Sequence, residues 1–160
     1  MSYLFWRKLF DDKSNVINPH LRVAFTTGAH HVDDRVFNSM ERFSDTQVMV
    51  SFDAPDAETF EAIRVNAKFD KVVQNLQKFR DISTRERDGA TVMHISVMKQ
   101  NIKLLPELMR LAAALEVPIN FQPVVAYPID HSLRGLRLGP AEIEGWSEAL
   151  DEAQDIIERV

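Results

Sequence analysis

Four short runs dominate what this chain can fold into: LRVAFTT (21–27), TQVMVSFD (46–53), TVMHISVM (91–98) and PINFQPVV (118–125). Each is rich in β-branched and apolar residues and is bounded by turn formers, the pattern of a buried strand. Between them the apolar spacing changes to three and four. Val36, Phe37 and Met40 share one face of a helix expected from Val32 to Phe43, with Asp33 and Asp34 at its positive end. Asp56 can cap a short helix through Ile63, and KFDKVVQNLQKFRDI follows as a longer one bearing Phe69, Val72, Val73, Leu76 and Phe79. After the third run, Asn101 can cap and Pro106 can sit in the first turn of a helix carrying Leu108, Leu111, Ala112 and Leu115. Strands alternating with helices imply βαβ units and a parallel sheet.

Period two within the runs decides between two ways of building that sheet. Val48, Val50 and Phe52 share a face against Gln47, Met49, Ser51 and Asp53; Met93, Ile95 and Val97 oppose Val92, His94, Ser96 and Met98. The first and fourth runs repeat the split, with Arg22, Ala24 and Thr26, and with Asn120 and Gln122, on the polar side. A sheet covered by helices on both sides is apolar on both faces. One polar face fits instead a sheet curved into part of a barrel, helices outside and a ligand cavity inside. The expected fold is therefore α/β: a parallel-sheet partial (β/α) barrel in one domain over residues 1–160, ending in an amphipathic helix at about 140–160. Ile143, Trp146, Leu150, Ala153 and Ile157 form that helix's expected stripe. Tyr3 to Phe10 read as the end of a preceding helix, and Arg85 to Gly89 as a charged loop.

A net charge of −5 and 27% charged residues carry no basic stripe, which argues against a nucleic-acid partner. No run is long enough to span a membrane, and MSYLFWRKLF lacks the apolar core of a signal peptide. The chain has no cysteine, which excludes disulfides and thiolate metal sites and fits a reducing cytoplasm.

In such barrels the chemistry gathers where strands end. Ser51 and Asp53 lie there, and Arg64 closes the next helix. An arginine offers a fork to a carboxylate, and serine and aspartate can hold hydroxyls; equally, Asp53 can close the turn and take Arg64 as its own partner. Thr26, Thr27 and Gly28 end the first run, where the glycine suits a turn that needs its backbone freedom. His30 and His31 beside Asp33 and Asp34 do not make a metal site, since adjacent side chains point apart. His94 reads as a hydrogen-bonded interior histidine. With Ser51 and Asp53 it could be drawn as a hydrolytic triad, but no G-x-S-x-G elbow is present.

The order of these pieces resembles the radical S-adenosylmethionine enzymes, particularly those with additional C-terminal cluster domains. FTTG stands where that family ends a strand in T-N-G, and VMVSFDAPDAETFEAIR matches its fourth strand and acidic helix ending in arginine. FDKVVQNLQKF, HISVMKQNIKLLPELMRLAAALEV and INFQPVVAY match the next helix, the fifth strand with its asparagine and helix, and the sixth strand. The resemblance covers about residues 20–128, strands three to six of the family's barrel.

It implies an S-adenosylmethionine pocket to which Thr26, Ser51, Asp53 and Arg64 contribute, with Arg64 at the cofactor's carboxylate and Ser51 and Asp53 near its ribose and amino acid part. It also implies a [4Fe–4S] cluster that cleaves the cofactor to a 5′-deoxyadenosyl radical. Here the pattern breaks, because the C-x3-C-x2-C motif that holds the cluster has no counterpart among 160 residues without a cysteine. Thr27 also replaces the usual asparagine, and Ala54 a usual glycine. The chain is thus expected to be a truncated or split member that retains part of the pocket, with a partner polypeptide supplying the cysteines. The alternative is a non-catalytic half-barrel scaffold that self-associates, as a dimer, through its open edges.

Overall fold

The computed structural model describes residues 22–43, 45–83, 90–124 and 135–157. The order is β1 (Arg22–Thr27), α1 (Asp34–Met40), β2 (Asp45–Ser51), α2 (Ala57–Ile63), α3 (Phe69–Ser83), β3 (Ala90–Val97), α4 (Leu105–Ala114), β4 (Ile119–Pro123) and α5 (Pro140–Ile157). A 3-10 turn, Ile102–Leu104, leads into α4. The readings at Tyr3 to Phe10 and Arg85 to Gly89 lie outside the described residues.

The four strands form one parallel sheet in the order β1-β2-β3-β4. Strand order never reverses, unlike a doubly wound sheet with its switch point. β1 and β4 do not pair, so the described sheet is open rather than closed into a barrel.

Burial follows the period-two split. Val48, Val50, Phe52, Met93, Ile95 and Val97 are fully buried, in one cluster with Phe37, Leu76, Phe79 and Leu108 from the helices. The opposite face stays open: Gln47, Met49, Ser51, Val92, His94 and Ser96 are half-buried, and Ala24, Thr26, Asn120 and Gln122 are exposed. Burying each Phe side chain of this core contributes on the order of 2–3 kcal/mol.

Local signals explain most element ends. Asp33 caps α1, its carboxylate accepting from the N–H groups of Arg35 and Val36; this is why the helix starts two residues after the expected Val32. Asp56 caps α2 through the Thr59 N–H at 2.8 Å, and Pro106 occupies the first turn of α4. Within α5, Trp146 packs on the core and Ala149 is buried. The side chains of Ile143, Leu150, Ala153 and Ile157 lie outside the described ones.

An aromatic trio fixes the geometry where β2 ends. Phe52 meets Phe60 of α2 at 4.9 Å and Phe69 of α3 at 5.5 Å between ring centroids, and the latter two meet at 5.7 Å. Tilted ring pairs of this kind add about 1 kcal/mol each beyond the area buried. They hold α2, and with it Arg64, against the end of β2.

Candidate functional site at the strand ends

The sheet ladder between β2 and β3 runs to Phe52, whose N–H donates to the His94 carbonyl at 2.9 Å. The next donor on β3 goes elsewhere. The Ser96 N–H donates at 2.8 Å to Asp53 Oδ1, so a carboxylate takes over from main chain at the strand end. That is why β2 stops at Ser51, short of the expected Asp53. Asp53 is only 3% exposed, and its Oδ2 pairs with Arg64 Nη2 at 2.6 Å. Arg64 follows α2 directly, with its N–H bonded to the Phe60 carbonyl, and its side chain remains 26% exposed. The two alternatives left open by spacing are thus partly resolved, because Asp53 has Arg64 as its ion-pair partner. Arg64 Nε is buried and has no hydrogen-bond partner among the described residues.

Asn101 is not the helix cap its position suggests. Fully buried, it donates from Nδ2 to the carbonyls of Asp53 at 2.9 Å and Ser96 at 3.0 Å, and accepts from the Met98 N–H at 2.9 Å. One side chain thereby ties the loop after β2 to the loop after β3. Asn75 of α3 does the same for the loop after β1, donating to the Ala29 carbonyl at 2.7 Å. Neither asparagine's long-range bond, to Asp53 or to Ala29, could be read from sequence, since these span 48 and 46 positions. The place of Asn75 between Val72 and Phe79 on the apolar stripe of α3 is the one local hint.

Of the four expected pocket residues, Ser51, Asp53 and Arg64 come together at the end of β2. Thr26 lies one strand away, exposed on β1 and in register with Met49. Ser51 is in register with His94, and His94 with Asn120, which forms a polar row across the open face. His94 departs from expectation: its Nδ1 is buried without a hydrogen-bond partner among the described residues, so it is not a satisfied interior histidine.

The turn after β1 also differs. No described glycine has a positive φ; the left-handed residue is Ala29, at φ 55°. Gly28 supplies room instead, because a Cβ there would come within 2.8 Å of His30 Nδ1. The rings of His30 and His31 lie 4.4 Å apart, tilted by 55°, so these neighbours do not point apart as expected. Among the described residues, no group of three or more His, Asp or Glu is placed to hold a metal ion.

No protein-family model and no curated protein matches this chain. Among solved structures it is similar to the crystal structure of Streptococcus suis SuiB bound to S-adenosylmethionine, with a TM-score of 0.61 and 11% identity. The match covers 87% of this chain but 29% of that one, so the chain spans less than a third of its neighbour's length. At this identity the likeness is one of fold: a parallel α/β sheet with its helices.

Proposed function

We propose that this chain is an S-adenosylmethionine-binding module of radical S-adenosylmethionine type, a truncated or split relative that keeps the cofactor rim and lacks the cluster ligands. The observation that carries this is Arg64, locked by Asp53 at the end of β2 beside the open polar face, in a fold like that of an S-adenosylmethionine-bound protein. Thr26 and Ser51 line the same rim, and the sheet is taken as the curved wall of a partial barrel. The bound ligand's carboxylate meets the part of the guanidinium that Asp53 leaves free, and hydroxyls meet the serine and threonine.

The residues present do not fit the cluster. A [4Fe–4S] centre takes thiolate ligands, and none of the 160 residues is a cysteine. No radical step is therefore assigned to this chain by itself; a partner polypeptide bearing the cysteine motif would complete an enzyme. Among the described residues no helix is long and apolar enough to cross a membrane.

Calorimetric titration with S-adenosylmethionine tests the proposal. Wild type should bind and Arg64→Ala should bind about tenfold more weakly, the loss of one charge-assisted hydrogen-bond pair. Absence of binding by wild type sinks the idea. A second reading follows from β1 and β4 not pairing with each other in the described sheet: a non-catalytic half-barrel scaffold in which two copies join edges. A tight dimer by sedimentation, with no cofactor heat, would put that reading first.

A further inference from the structure

Asp53 was expected to touch the ligand, yet both of its carboxylate oxygens and its carbonyl already have partners within the protein. It is 3% exposed, its Oδ1 accepts from the Ser96 N–H, its Oδ2 holds Arg64, and its carbonyl accepts from Asn101. Arg64, at 26% side-chain exposure, is the one member of the pair within reach of solvent. Arg64 also needs an anchor, because it lies just past α2 with φ −106° and ψ 81°, outside helical geometry. A long side chain there would otherwise sample many rotamers, and each ordered one costs conformational entropy. Asn101 in turn fixes the backbone of Asp53 from the loop after β3.

We infer that Asp53 is a positioning residue that contacts no ligand and acts through Arg64 alone, fixing the plane of its guanidinium for an incoming carboxylate, with Asn101 as the brace that holds Asp53. This rests on the S-adenosylmethionine reading and divides its residues into those that touch and one that aims. An amide at position 53 can still accept from the Ser96 N–H, but its NH2 would face the guanidinium and release it. The effect should fall on ligands with a carboxylate and spare those without.

The test uses the intact chain and two probes, S-adenosylmethionine and 5′-methylthioadenosine, which shares the nucleoside but has no carboxylate. Asp53→Asn, checked for folding by circular dichroism, should weaken S-adenosylmethionine about tenfold and change 5′-methylthioadenosine less than about twofold. In an Arg64→Ala background the same substitution should cost no further affinity. Equal weakening of both probes overturns the inference, as does no weakening of either. Should Asp53→Asn lose its fold, Arg64→Lys decides: a point charge cannot be aimed in a plane, so preference for the carboxylate probe should drop. A lysine that keeps the full preference overturns the inference. Loss of nucleoside binding by wild type itself removes the underlying reading, an outcome distinct from unselective loss in the variants.

Discussion

Ala29 shows how a single position can mislead a sequence reading. Gly28 precedes it and invites the role of the flexible turn residue, but the positive φ belongs to the alanine, which is 1% exposed. An L-residue in the left-handed region costs roughly 1–2 kcal/mol, and a buried methyl group contributes about 0.8 kcal/mol. The greater backbone freedom of glycine adds a cost of roughly 0.5–1 kcal/mol, so the opposing contributions nearly cancel on Ala29→Gly and that variant should unfold within about 0.5 kcal/mol of wild type. Ala112→Gly, buried in α4, loses a methyl and also about 1 kcal/mol of helix propensity, about 2 kcal/mol together. Urea midpoints measure both, and a larger loss at Ala29 than at Ala112 would show that no strain is stored in the turn. The strain was not legible because the Asn75 bond that holds the Ala29 carbonyl comes from a helix 46 positions away. Asp56, by contrast, caps within three residues, and its role was plain from the sequence.

Elements whose limits rest on local chemistry were legible, and those limited by distant partners were not. Period two separated the covered from the open face on β1, β2 and β3, and on β4 as far as Phe121, Pro123 being exposed, because burial on one side of a sheet is written into alternate residues. The end of β2 was misplaced by two residues because Asp53's carboxylate, a side chain, takes the next ladder donor. The junction of α2 and α3 is a further case. Glu61 reaches from α2 to the start of α3, accepting from the Phe69 N–H at 3.2 Å and pairing with Lys68. The Lys68 hydrogen bond, with the Phe69 N–H second, holds the Glu61 carboxyl below its ordinary value. A depressed folded value means stabilisation present above the unfolded carboxylate range and lost as pH falls through the folded value. Wild type should therefore exceed Glu61→Gln in urea midpoint at pH 7, and the gap should close on acidification below about pH 4. A gap that stays constant with pH would exclude the carboxylate as its source. The side chain is exposed enough that salt should narrow the gap as well.

Across the whole molecule, one apolar cluster joins β2 and β3 to α1 through α4, and Trp146 of α5 packs onto it. A core that is continuous in this way predicts a single cooperative transition. The last helix, α5, meets α4 and the 3-10 turn beside the cluster. Two of its described contacts can be compared: the half-buried Trp146 with Ala149, and an exposed ion pair between Arg110 and Glu152. Their magnitudes differ. An exposed pair contributes about 0–1 kcal/mol, while truncating an aromatic of this size in a core costs about 3–5 kcal/mol, less when it is only half covered. Trp146→Ala should accordingly destabilise the chain by about 2 kcal/mol and Arg110→Ala by less than about 0.5 kcal/mol. In a Trp6→Phe background the remaining indole is Trp146, so its fluorescence follows α5 and far-ultraviolet circular dichroism follows the whole chain. The two urea transitions should coincide. A fluorescence midpoint at distinctly lower urea would mean that α5 detaches before the sheet melts, and that the tryptophan contact does not couple it to the core.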